Sequence, residues 1–318
     1  MLYFLSSAYL NMELKKKFEI LYQKLLSDKT KKKSEKIILV IAIASFLIHL
    51  AIIYLVDFGI ITLHSPSDLL KNPIAAIYTP FSFILVYEVY LLIHYLPKSI
   101  TTYIIKQYEI ISLIIIRRLF KDLSTLSLSS DWFKIKYDLQ FTYDLVASVL
   151  LFFLIYQFYN QSKKRYITHT KDEVEIESIR KFIIIKKVLA SFLVPVLFFV
   201  AVYSFISWFS GTINPGVNTG VSFKNINNIF FEQFFTILII ADVILLLFSF
   251  FHTHEFHKVI RNSGFIISTI LIRLSFSVSG VLNTVLIVSA IIFGLLILII
   301  HNKFERHIAL EKSKTDTI

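Results

Sequence analysis

The sequence predicts an all-α integral membrane protein. It would have about eight transmembrane helices arranged as two parallel four-helix repeats, preceded by an N-terminal amphipathic helix. Three observations carry that expectation. The first is composition: of 318 residues, 56% are hydrophobic and 17% are charged, against about 45–50% and 25% in a soluble domain. The second is a series of long apolar runs, such as IILVIAIASFLIHLAIIYLV at 37–56. A helix needs roughly 20 apolar residues to cross the hydrocarbon core, whereas a membrane β-strand would alternate apolar and polar residues. The third is a one-sided placement of lysine and arginine.

Composition also excludes several classes. With no cysteine, disulfides, Cys-ligated metals and thiol catalysis are ruled out. No Gly-rich turn ends in Lys-Ser or Lys-Thr, and no GxSxG elbow occurs, so neither a nucleotide-phosphate site nor a hydrolase nucleophile is indicated. An enzyme is therefore the less expected class, and no cofactor is implied.

Residues 1–33 read as a cytoplasmic basic segment. Leu14, Phe18, Leu21 and Leu25 recur at helical spacing, with Lys15, Lys16, Lys17 and Lys24 elsewhere around the helix. That pattern suits a helix lying on an anionic inner leaflet. The opening LYFLSSAYL lacks a preceding basic region and is a poor signal peptide; a second methionine at 12 offers an alternative start.

Eight spans follow, at 37–56, 77–96, 107–126, 139–158, 186–208, 231–251, 263–281 and 282–301. Three carry charge: 77–96 holds Glu88, 263–281 holds Arg273, and 107–126 holds Glu109, Arg117, Arg118, Lys121 and Asp122. Charge counting tests the last of these. If all eight cross from a cytoplasmic N-terminus, the outer loops 57–76 and 209–230 hold only Lys71 and Lys224. Nearly all the other lysines and arginines, including Lys163, Lys164 and Arg165, then face the cytoplasm, which is the positive-inside pattern. Placing 107–126 on the surface instead would turn the lysine-rich loop 159–185 outward. Trp132 and Trp208 fall at the outer ends of spans, where aromatic belts form. The Gly- and Asn-rich loop 209–230 reads as an external loop, with a re-entrant element as the alternative.

The net charge of +11 is thus a record of sidedness and lipid contact, with no nucleic acid implied. High Ile, Phe and Lys usage suits an AT-rich bacterial genome, so the expected location is a bacterial inner membrane with both termini cytoplasmic. A homo-oligomer is compatible with the sequence.

An internal repeat is expected from matches in register. IISLIIIR at 110–117 answers to IISTILIR at 266–273, Glu88 to Asp242, ASFLIH at 44–49 to ASFLVP at 190–195, and Asn160 to Asn302. The units are 34–165 and 183–307, separated by a charged linker at 166–182 and followed by a tail at 308–318. Four spans per unit is an even number, so the copies share orientation.

Each unit then has an acid on its second span and an arginine on its third. A charge at mid-bilayer costs about 2.5–3.5 kcal/mol on insertion scales and usually pairs or lines a cavity. The expected pairs are Glu88–Arg117 and Asp242–Arg273, with Asp144 facing Arg118 or Lys121. Such a four-helix unit resembles voltage-sensor domains in physical type, although those carry arginine at every third position through several turns. Because the first unit is richer in charge, a permeation route is expected through it. Near the chain's later half, His252, His254 and His257 stand in HTHEFHK. This resembles the first histidine box of membrane desaturases, but the spacing is shorter and no second box follows. Interfacial polar residues are the expectation, and a metal site the alternative.

The functional expectation is a transporter or channel for a small ion, proton or solute, centred on Glu88, Arg117, Arg118, Lys121, Asp144, Asp242 and Arg273. The alternatives are a non-transporting scaffold or sensor subunit with a cytoplasmic partner, and a metal-dependent membrane enzyme. A wet cavity reaching the buried acids favours transport; a dry, paired bundle favours the scaffold.

Overall fold

The computed structural model describes residues 16–60, 73–123, 136–164, 173–213, 223–252, 255–278 and 280–315. Lys71, Trp132, Arg165, His254 and residues 214–222 of the external loop lie outside them. Every regular element among the described residues is helical: α1 (16–26), α2 (Asp28–Asp57), a 3-10 turn (Pro73–Ile77), α3 (Tyr78–Tyr95), α4 (Ile100–Leu123), α5 (Lys136–Ser162), α6 (Glu173–Ile213), α7 (Phe223–His252), α8 (Phe256–Ser275) and α9 (Val281–Thr315).

Local chemistry sets the breaks. Ser27 starts α2 as an N-cap, its Oγ accepting from the Thr30 amide at 3.1 Å. Pro97 cannot continue α3, and Ser99 restarts the chain, its Oγ accepting from Thr102 N at 3.2 Å. The turn between α8 and α9 closes through Gly280 at φ +79°, a conformation that costs an L-residue about 1–2 kcal/mol. Gly280→Ala is therefore expected to lower stability by about 1 kcal/mol, read as a lower unfolding midpoint in detergent. The nearest foreign atom to an added Cβ there is 3.7 Å away, so backbone strain, not crowding, would be the cause.

Among the described residues, five helical stretches are long and apolar enough to cross a membrane: Lys16–Asp57, Leu139–Ser162, Ile176–Tyr203, Gln233–His252 and Val281–Glu311. Thr79–Tyr95 is apolar but shorter. Helices α4 and α8 fall outside this group because they carry the charges, yet they lie at the centre of the bundle. Tyr103, Ile104, Tyr108 and Ile115 of α4 and Phe265, Ser268, Ile272 and Arg273 of α8 are all buried. By contrast, the most apolar 18-residue stretch of Lys16–Asp57 is only 11% buried, and Val40, Ile43 and Ile48 point outward. Apolar surface outside and polar groups inside is the inverse of a soluble protein, and is consistent with a helical, multi-pass membrane protein.

From α2 to α5 and from α6 to α9, each helix packs against the next one in sequence. The turn 97–99 between α3 and α4, the end of α7 and the start of α8 lie at one end of the bundle, which we call the short-turn end, and that end also holds the start of α2 (Lys31 Nζ to Tyr95 Oη, 3.1 Å) and the end of α5 (Gln161 O from Asn302 Nδ2, 2.9 Å). Helices α4 and α5 of the first half contact α8 and α9 of the second, and α3 contacts α6.

Several expected boundaries move. Residues 107–126 were expected as the third span; the helix is Ile100–Leu123, and the connectors shrink from 97–106 to 97–99 and from 252–262 to 253–255. Helices also outrun the apolar stretches, most of all the 41-residue α6, because hydropathy marks only the apolar part of a longer helix. Consequently α2, α6 and α9 run unbroken past residues 33, 182 and 307. Helix α1, expected on the lipid surface, docks on protein: Leu26 is buried, Tyr90 Oη donates to Leu25 O at 3.0 Å, and Lys187 Nζ meets Glu19 at 2.8 Å.

Candidate functional site: a buried polar axis

Three ion pairs thread the bundle, each between residues the sequence marks as charged within apolar runs. Arg117 of α4 donates through Nη2 to Glu88 of α3 and through Nη1 to the Phe81 carbonyl at 3.1 Å. Arg273 of α8 meets Asp242 of α7 at 2.7 Å. Arg118 of α4 meets Asp144 of α5 at 2.7 Å. Lys121 lies on the last turn of α4, and its side chain is outside what the structure describes.

The surroundings of the pairs differ. Around Asp144 the network joins the two halves: Arg118 also donates to Asn283 Oδ1 at 2.6 Å and Thr284 Oγ1 at 3.1 Å, while Thr284 donates to Asp144 Oδ1 at 2.6 Å. Asn283 in turn donates to the Ser275 carbonyl at 2.5 Å. Around Asp242, Tyr103 donates to Oδ1 at 2.9 Å, and Arg273 Nη2 reaches Gln107 Oε1 at 3.1 Å. Here two buried donors, Arg273 Nη1 and Gln107 Nε2, and one acceptor, Asp242 Oδ2, remain without a hydrogen-bond partner, as do Arg118 Nε and Asp144 Oδ2 at the neighbouring pair. Residues 88, 107, 144, 242 and 273 are each at most 5% exposed.

A cavity of about 10 Å³ lies next to Tyr103, toward the short-turn end, lined by Lys186, Ser249, Asn262 and apolar neighbours. It has room for about one water. Lys186 is buried, and its ammonium donates to the Lys98 carbonyl at 2.8 Å, joining α6 to the end of α3.

The histidines regroup relative to the sequence expectation. His252 Nδ1 lies 2.7 Å from the Phe248 carbonyl, and its ring packs on Phe182, away from His257. His257 instead meets Glu305 at 3.0 Å and Glu255 at 3.3 Å, and stacks on His301 at 5.2 Å between centroids. The arrangement has the donor types of a transition-metal site. However, Arg261 Nη1 lies 2.9 Å from His301 Nε2, so the lone pair a metal needs already faces a guanidinium. Two carboxylates, Arg261 and Lys258 already balance to zero, leaving no net negative charge to attract a divalent ion.

Sequence reasoning missed Tyr103, Gln107, Lys186, Asn283 and Thr284. The one available signal was Lys186, a lysine that follows the apolar run 182–185 at the head of an expected span. Comparison with known proteins adds nothing to this geometry: no family model, curated protein or solved structure matches the chain.

Proposed function

We propose that this is an eight-span protein of a bacterial inner membrane that moves a small ion or solute along its polar axis, closed in the conformation seen here. Its short-turn end faces the cytoplasm, with the lysine-rich segments against the anionic leaflet. Two parallel four-helix units, α2–α5 and α6–α9, support this reading: in each, an acid on the second helix meets an arginine on the third. The contacts of α4 with α8 and of α5 with α9 are those an axis near the membrane normal would generate. Helix α8, at 20 residues, is about 30 Å long and matches the hydrocarbon core.

One observation carries the transport reading. A purely structural clasp buried in a bundle satisfies its donors, because each one left open costs about 1–3 kcal/mol. The Asp242 cluster leaves three buried polar atoms open, Arg273 Nη1, Gln107 Nε2 and Asp242 Oδ2, against Arg118 Nε and Asp144 Oδ2 at the Asp144 pair. Such a cluster suits a transient occupant, and shifts the expected route from the first unit to the junction of the two.

The scaffold reading is favoured by a different observation: the buried acids are paired, and the adjoining cavity is only about 10 Å³. Reconstituted liposomes separate the two. Wild-type protein is expected to pass protons or a small ion above empty vesicles, and Arg273→Gln to reduce that flux at least about tenfold, equivalent to about 1.4 kcal/mol. Glu88→Gln, outside the Asp242 cluster, should reduce it less. Wild-type vesicles as tight as empty ones, with the protein correctly folded, would establish the scaffold.

A further inference from the structure

We infer that the surface where α2, α3 and α4 meet at the short-turn end binds one anionic phospholipid, with its phosphate between Lys31 and Lys106 beside Tyr95 and its acyl chains along the outer face of α4. The proposed orientation supplies only the leaflet, the cytoplasmic one; the site itself follows from charge and geometry. Helices α2 and α4 both pack on α3, and each sends a lysine to the same α3 residue. Lys31 Nζ of α2 donates to Tyr95 Oη at 3.1 Å and lies 5.3 Å from the ring centroid. Lys106 Nζ of α4 lies 5.5 Å from that centroid. A tyrosine ring attracts a cation, but two ammonium groups at one ring repel each other, and an anion shared between them relieves the repulsion. The local charge count agrees. His94, whose ring meets Tyr95 edge-on at 5.1 Å, feels Lys31 and Lys98 as well as Asp28, and Lys106 is paired with Glu109 at 2.6 Å. Three ammonium groups thus face two carboxylates, and one phosphate monoanion makes up the difference.

The face of α4 that carries Lys106 selects a lipid over a free phosphate. Helix α4 packs against α3, α5 and α8. Its outer face reads Lys106, Glu109, Leu113, Ile116 and Phe120, at the spacings of three and four that align side chains on a helix. Leu113, Ile116 and Phe120 are 39–47% exposed. Charge at the short-turn end and apolar surface beyond it match the polarity of a phospholipid. Ten residues of helix, about 15 Å, separate Lys106 from Ile116, which is the depth of one leaflet in a hydrocarbon core about 30 Å thick. Inorganic phosphate would leave that apolar face unused. Lys31 and Lys106 are both partly exposed, so the headgroup reaches them from outside and needs no internal cavity. Basic clefts between membrane helices on the cytoplasmic side hold anionic headgroups in this way. Glu109 competes with the phosphate for Lys106, so this carboxylate is the group that weakens lipid binding. A lipid so placed ties α2 to α4, the helix that carries Arg117 and Arg118.

The test is the unfolding midpoint of the purified full chain in neutral detergent, titrated with phosphatidylglycerol, phosphatidylcholine or inorganic phosphate at constant ionic strength. A bound lipid stabilises in proportion to its occupancy, so the wild-type midpoint is expected to rise and saturate with phosphatidylglycerol alone. Lys31→Gln/Lys106→Gln should raise the half-saturating mole fraction of that lipid at least about tenfold. Glu109→Gln, which keeps both lysines, should lower it about threefold. Lys163→Gln/Lys164→Gln removes two exposed lysines at the end of α5, also at the short-turn end, and should leave it unchanged. Equal midpoints in phosphatidylglycerol and phosphatidylcholine would overturn the site, and so would an equal rise with inorganic phosphate, which would make the occupant a free anion. An unchanged response in Glu109→Gln would place the lipid elsewhere. Equal weakening in the two double variants would replace the site by a diffuse attraction of the whole basic end. Lipid stabilisation in a protein that passes no ions keeps the site and removes transport; flux without a lipid response does the opposite.

Discussion

Replacing Gly294 with alanine is expected to destabilise the bundle by about 3 kcal/mol, a large effect for one methyl group. An added Cβ would lie 2.0 Å from Tyr108 Oη, 3.2 Å from Tyr108 Cζ and 3.1 Å from Ser268 Oγ. The tyrosine has nowhere to go. Its side chain is fully buried, its hydroxyl is 2.7 Å from Ser268 Oγ, and its ring packs edge-on against Phe158 at 5.1 Å. Ser268 is fixed in turn by donating to the Ala290 carbonyl at 2.6 Å. The methyl group would therefore push α9 away from α4, at the contact between the halves. Tyr108→Phe removes the closest atom and should recover part of the loss, because the Cζ contact at 3.2 Å stays tight. On its own, Tyr108→Phe should cost about 1 kcal/mol, since Ser268 keeps its bond to Ala290. A Gly294→Ala protein with the wild-type midpoint in detergent would show that the two helices can separate freely there.

Why that contact escapes a reading of the sequence is instructive. Glycine in an apolar run carries no charge or period, so only a partner helix reveals that Gly294 makes room for Tyr108. The same holds for Gln107, Asn283 and Thr284. Uncharged polar residues are common in membrane helices, and their roles appear only when a second helix supplies the other half of a hydrogen bond. Charges behave differently. Glu88, Arg117, Asp242 and Arg273 stand out because an unpaired charge among isoleucines is costly, and that cost makes a partner one helix away easy to name.

Helix class was legible for a related reason: a run such as 37–56 has no other stable form in lipid. Helix ends were not. Hydropathy sees where the apolar stretch stops, whereas the helix stops where a cap or proline makes it stop, at Ser27, Pro97 or Gly280. Lys186 shows the consequence. It reads as the edge of a span because it follows charged residues, but the helix extends 13 residues before it and carries it into a buried position against the end of α3. The docking of α1 was hidden likewise: Leu25 and Leu26 could face lipid or protein, and only Tyr90 and its neighbours decide it.

The second large effect is expected at Asp144. Changing it to leucine alone, or Arg118 to methionine alone, should cost about 3–5 kcal/mol, because either change strands a charge in the bundle. Asp144 is fully buried and its Oδ1 takes two donors, Arg118 and Thr284. Arg118 is a quarter exposed, so its stranded form has more freedom to relax, and Asp144→Leu should leave the smaller deficit of the two. The double variant Arg118→Met/Asp144→Leu removes both charges at once. It should be markedly more stable than either single variant, since apolar side chains of similar size often replace a buried pair at little cost. It would still lose the bonds from Arg118 to Asn283 and Thr284, which join α4 to α9 across the halves. Some deficit relative to wild type is therefore expected to persist, and a double-mutant cycle on unfolding midpoints measures it. Additive single effects would mean that the two residues do not depend on one another. In that case the joining of the halves would rest on apolar packing between α4 and α8 and between α5 and α9, with the ion pair contributing nothing to it.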